Sequence, residues 1–85
     1  MVKYLASPVK RSVTIAGHAT SLRLEPVFWA ALDAAAADAG LPLNALIARI
    51  DALRLESGRL EQGQPPNLAS AIRQWLYAEL QRKRM

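Results

Sequence analysis

Few residues of this 85-residue chain are equipped for bond-making chemistry. The single histidine, His18, stands beside Gly17, and there is no cysteine. A zinc site needs several Cys or His donors, so His18 reads as a turn residue and no metal is expected. The acids offer no converging pair. Asp33 and Asp38 lie about 140° apart around a helix, and Asp51 with Arg54 has the spacing of an ion pair along one helix face. Ser7, Ser12, Ser21, Ser57 and Ser70 have no identifiable base, and no phosphate-cradling glycine loop, H-E-x-x-H or G-x-S-x-G occurs. The expectation is a non-enzyme without cofactor or small-molecule substrate.

Arg23 is the residue with a functional reading. It belongs to the alternating run Thr20-Ser21-Leu22-Arg23-Leu24. Strand side chains alternate between faces, so Leu22 and Leu24 turn one way, and Ser21 and Arg23 the other. The net charge is +4 and its distribution is uneven. Residues 1–24 carry Lys3, Lys10, Arg11 and Arg23 without any acid, residues 25–62 hold six acids against three bases, and residues 63–85 set Arg73, Arg82, Lys83 and Arg84 against Glu79. Basic ends on an acidic middle point to a polyanion near the strand.

These side chains must be positioned by the elements around them. A five-residue strand alone leaves its backbone groups unpaired. Its partner is either a second strand of this chain or the same strand of another copy. Val13 and Ile15 alternate as well, but on odd positions, whereas Leu22 and Leu24 are even. One flat strand cannot put both sets on one face, so the segment around Gly17 is either a bulge in one kinked ribbon or the turn of a hairpin. Pro26 then opens an alanine-rich helix, apolar nearly all round, which Gly40 ends. Leu43, Leu46, Ile47, Ile50 and Leu53 form the stripe of a second helix, with Ser57-Gly58 as its expected end; Arg59-Leu60-Glu61-Gln62 either continue it or form a loop. Gly63-Gln64-Pro65-Pro66 breaks the chain. Asn67 caps a third helix, striped by Leu68, Ala71, Ile72, Trp75, Leu76 and Leu80.

Apolar residues make up 52% of a chain too short to bury a large core alone, which favours an oligomer. No window approaches the roughly 18 consecutive apolar residues of a membrane span. The start, MVKYLASPVKRS, lacks the apolar stretch of a signal peptide, so a cytoplasmic protein is expected.

The run SLRLE, followed by a helix and then GLPLNALI at the turn into the next helix, resembles the ribbon-helix-helix family of bacterial DNA-binding proteins, of the Arc and MetJ kind. The wider string KRSVTIAGHATSLRLEPVFWAALDA resembles a subgroup of small bacterial members. The resemblance implies a mostly α fold with a short β-ribbon, an intertwined homodimer in which each chain gives one strand, and here an additional C-terminal helix beyond the minimal unit. Four segments are expected: a basic arm over 1–11, the ribbon-helix-helix domain over 12–58, a linker over 59–66, and the C-terminal amphipathic helix with its basic tail over 67–85.

By the same resemblance, the protein is a transcriptional regulator or repressor whose dimeric ribbon enters the major groove of double-stranded DNA. Ala19, Ser21 and Arg23 take the three base-facing positions, and arginine can pair with guanine through two hydrogen bonds. Leu43, Asn44 and Ala45, at the start of the second helix, offer backbone N–H groups to a phosphate. Lys10 and Arg11 are read as further phosphate contacts. Leu22, Leu24, Trp29, Leu32 and Ile47 are read as contacts within the dimer, and Trp75 and Leu76 as contacts that join chains. Ala19 departs from the long polar residue the family usually has there. An oligomeric interaction module that keeps the fold without reading DNA sequence is the alternative.

Overall fold

In the computed structural model, residues 5–61 and 63–84 are described. Lys3 of the expected basic arm, Gln62 of the expected linker and Met85 of the tail lie outside them. The chain forms two strands, β1 (Val9–Ile15) and β2 (His18–Leu24), and then three helices, α1 (Pro26–Ala39), α2 (Leu43–Glu61) and α3 (Leu68–Lys83).

The parity conflict is resolved by a hairpin. β1 and β2 pair antiparallel, with Ile15 opposite His18 and Val9 opposite Leu24. The two residues between them, Ala16 and Gly17, have φ of 51° and 81°. Two successive positive φ angles are what a type I′ turn requires, and that turn matches the twist of the flanking strands. Glycine adopts it freely, whereas alanine pays for its Cβ. The strand 20–24 therefore finds its partner in its own chain. Of the two partners the sequence left open, a second strand of this chain is the one the structure shows. The physical reason is local: a two-residue turn brings the odd set of β1 and the even set of β2 onto one face, with Val13 and Leu22 buried there.

Below that face lies one apolar core. Leu24, Leu32, Ile47 and Ile72 are completely buried, joined by Trp29, Leu46 and Ile50. α1 has no side-chain cap; instead the Glu25 carbonyl accepts from the N–H groups of Phe28 and Trp29 at 2.9 and 3.2 Å. Its end is the left-handed Gly40 (φ 66°), with Gly40 N–H donating to Ala37 O and Leu41 N–H to Ala36 O. This pair of bonds satisfies the last carbonyls of the helix. α1 is not buried all round: it buries Trp29, Leu32 and Ala36, while Val27, Ala30, Ala34 and Ala37 are exposed.

α2 overruns its expected end. Gly58 lies inside the helix and is buried, because Pro65 of the following loop packs on it. A Cβ at residue 58 would stand 2.8 Å from the Cβ of Pro65. The glycine thus serves a close approach and does not stop the helix. α3 starts at its cap: Asn67 Oδ1 accepts from Ser70 N–H at 2.8 Å. The helix runs alongside α1, held at one end by Arg73 on Glu25 and at the other by Lys83 on Asp38. No single described helix is long and apolar enough to cross a membrane.

Candidate nucleic-acid interface

The hairpin register sorts the ribbon's side chains into two faces. Residues directly opposite share a face, and faces alternate along each strand. The inner face carries Val9, Arg11, Val13 and Ile15 against Leu24, Leu22, Thr20 and His18. The outer face pairs Lys10 with Arg23, Ser12 with Ser21, and Thr14 with Ala19. All six outer residues are exposed. Ala19, Ser21 and Arg23 thus share one strand and one outward face. Ser12 and Thr14, opposite them on β1, complete the face and were not singled out from the sequence. Their placement depends on the turn length, which fixes the register.

Lys10 joins this face, but Arg11 does not. Its guanidinium carbon sits 4.5 Å from the centre of the Trp29 ring. Such stacking on an indole is favourable by about 0.5–1 kcal/mol at exposed sites. Trp29 is itself anchored, donating from Nε1 to Val9 O at 2.9 Å. Arg11 therefore lies on the helix side of the ribbon, as its odd position within β1 requires, and is engaged by α1.

The electrostatics single out the outer face. On the helices, every basic side chain except Arg49 is matched by an acid. Arg54 binds Asp51, Arg59 binds Glu56, Arg73 binds Glu25, Arg82 binds Glu79, and Lys83 binds Asp38. These contacts hold the Glu25, Asp38 and Glu79 carboxyls below the usual range, chiefly through the hydrogen bonds from Arg73, Lys83 and Arg82 respectively. The Glu79 and Asp38 contacts thereby occupy the basic side chains Arg82 and Lys83 of the tail. β1 and β2 contain three cations and no acid, and neither Lys10 nor Arg23 makes an ion pair among the described residues. Moreover, these two like charges stand directly opposite each other, an arrangement that destabilises a bare sheet.

The expected phosphate site at the start of α2 is elsewhere. Pro42 O accepts from Ala45 N–H at 3.0 Å and from Leu46 N–H at 3.2 Å, so the Ala45 N–H is already used. Leu43 packs against the core, Asn44 is exposed and Ala45 is half-buried. The length of α1, about 21 Å at 1.5 Å per residue, stands between this turn and the end of β2. The structure does not bring Leu43, Asn44 and Ala45 together with the outer face of the ribbon. What lies beside β2 instead is the start of α3: Asn67, Leu68 and Ala69 share a shallow cleft of about 300 Å³ with Thr20, Ser21, Leu22 and Arg23.

The residues expected at chain–chain contacts are largely closed within one chain. Leu22, Leu24, Trp29, Leu32 and Ile47 are 3% exposed or less, and Leu76 is buried as well. Within the single chain they pack in the core that joins the ribbon, α1, α2 and α3. Trp75 is the exception. It is half-buried and, with Leu53, borders two grooves, one among α1, α2 and α3 and one between α2 and α3.

A ribbon, two helices in sequence and a third packed back on them are thus built from one chain, with a basic outer ribbon face. The family model of the ribbon-helix-helix domain matches residues 8–80, and the chain belongs to that family. The match runs through most of α3, and two strands followed by three helices fit the ribbon-helix-helix unit with the additional C-terminal helix expected from the sequence. Ribbon-helix-helix proteins are typically DNA-binding transcription regulators. A search of the curated proteins found no match, and a search of the solved structures found none.

Proposed function

We propose that the protein is a cytoplasmic transcriptional regulator that binds double-stranded DNA by laying the outer face of its hairpin in the major groove. One observation carries this reading: Lys10 and Arg23 face each other across the strands without a counter-charge. A phosphate backbone supplies the missing anion, and a two-stranded ribbon has the width that the major groove admits. In this reading Arg23 reads a guanine edge, Ser21 and Ser12 supply short hydrogen-bonding groups, and Lys10 meets a phosphate. Ala19 and Thr14 offer only apolar or short contacts at the turn end of the face.

A second reading follows from those short side chains. Only Lys10 and Arg23 on this face are long, so an interaction module that holds an anionic partner without reading base sequence fits the same surface. A fluorescence-anisotropy titration separates the two. Wild type and Arg23→Ala are compared on a selected duplex and on its scrambled version, each at two salt concentrations. Base reading predicts a preference for the selected duplex, worth roughly 1–3 kcal/mol for a good bidentate contact and lost in Arg23→Ala. Equal affinity for both duplexes favours the second reading. Absence of binding to either duplex at low salt removes DNA as the partner.

A further inference from the structure

α1, α2 and α3 border an open cleft of about 390 Å³ to which the ribbon contributes no residue. Its walls are mostly apolar. Leu46, Arg49 and Leu53 follow one another at three- and four-residue spacing, so they share one face of α2, with Arg49 between the two leucines. Leu46 is buried, whereas Leu53 is 54% exposed. Trp75 of α3 lines the cleft as well and is half-buried. On the side of α1 stand Ala35 and Ala39, whose side chains end at Cβ and leave the space open. A recess of this kind, apolar with a few polar groups, is the usual form of a small-molecule site, and its volume lies at the lower end of the usual range.

The charges at the cleft select what fits. Asp38, Glu79, Arg82 and Lys83 also line it, and they neutralise one another, Lys83 on Asp38 and Arg82 on Glu79. Arg49 makes no ion pair among the described residues. The cleft therefore carries one net positive charge, raised from an apolar helix face. A guanidinium holds a carboxylate through two parallel hydrogen bonds, and apolar walls weaken the screening by water. A neutral ligand would leave Arg49 without an anion. A dianion would bring its second negative charge next to Asp38 and Glu79.

We propose that this cleft binds a small arylalkanoate, a monocarboxylate on an aromatic body, with phenylacetate as the simplest representative. The carboxylate sits on Arg49 and the ring covers Leu53 and Trp75. A ring suits the site better than an alkyl chain, because aromatic pairs gain more than their buried area alone and a rigid body loses less freedom on binding.

The test is isothermal titration calorimetry of the full chain with phenylacetate and with phenylacetamide, its neutral isostere, both taken well into the millimolar range. Phenylacetate is expected to bind with a dissociation constant of roughly 0.1–1 mM, and the amide about tenfold more weakly or less. That comparison is made on wild type and needs no variant. Arg49→Gln is expected to weaken phenylacetate about tenfold or more and to bring it level with the amide. Arg49 is exposed, so no core contact goes with it, and circular dichroism checks the fold. Arg59→Gln removes the same charge from the Glu56 ion pair, outside the cleft, and is expected to leave both affinities unchanged. NMR locates the ligand. The indole N–H signal of Trp75, assigned with Trp75→Phe, is expected to move with phenylacetate, and that of Trp29, which donates to Val9 O, to stay. No binding of phenylacetate, equal binding of acid and amide to wild type, indifference to Arg49→Gln, an equal loss in Arg59→Gln, or a shift confined to Trp29 would each overturn the proposal. None of these readouts depends on DNA.

Discussion

Replacing Arg23 by glutamate places the fold and the proposed function in opposition. Lys10 and Arg23 are direct cross-strand partners, so their Cβ atoms are about 5 Å apart and their flexible charged ends sit roughly 6–7 Å apart. In water, two unit charges at that distance repel by about 0.6 kcal/mol. Arg23→Glu turns the repulsion into attraction, a swing of about 1.2 kcal/mol before screening. With a Debye length of about 10 Å at 0.1 M salt, roughly half survives. Nothing in the core is lost, because Arg23 is exposed. Thermal unfolding at low salt should therefore show Arg23→Glu more stable than wild type by about 0.5–1 kcal/mol, or about 3–6 °C for a domain of this size. Arg23→Gln, which removes the charge alone, should show about half the gain. At 1 M salt the difference should vanish, since the Debye length falls to about 3 Å. In the same protein, DNA affinity at low salt should fall by more than about tenfold, since two units of charge change per ribbon. A melting temperature that drops at low salt would show that the two charges do not oppose each other. Undiminished DNA affinity would show that the outer face is not the contact surface.

Two further perturbations probe the scaffold. Ala16→Asn should stabilise the hairpin by about 0.5–1 kcal/mol in chemical denaturation, because asparagine tolerates the left-handed conformation better than alanine; no gain would mean that the turn is not of this type. Gly58→Ala should destabilise the fold by about 1 kcal/mol or more, as the overlap with Pro65 outweighs the better helix propensity of alanine. In a double-mutant cycle with Pro65→Gly, additive effects would refute that contact.

The elements with local causes were legible in the sequence. Gly40 marked the end of α1 and Asn67 the start of α3 because their caps are made within a few residues. The odd and even apolar sets flanking Gly17 signalled a break in the strand. They did not decide between bulge and hairpin, since Ala16-Gly17 is a weaker turn signal than Asn-Gly. Once the hairpin was fixed, Arg11 could be placed by counting in twos from Val13, so that signal was present. Contacts between distant parts of the chain were not legible. Gly58 resembles a helix stop until Pro65 is seen on top of it, and Arg73 on Glu25 spans 48 residues. The core residues Leu24, Leu32 and Ile47 were recognised as buried, but hydrophobic patterning does not say which chain covers them.

A ribbon folded from one chain also frees its two strands from each other. Where two identical chains each give a strand, any inherited change appears twice on the groove-facing surface, and the surface is bound to remain its own mirror under rotation. Here Lys10 stands opposite Arg23, and Thr14 opposite Ala19. Each position can therefore drift alone.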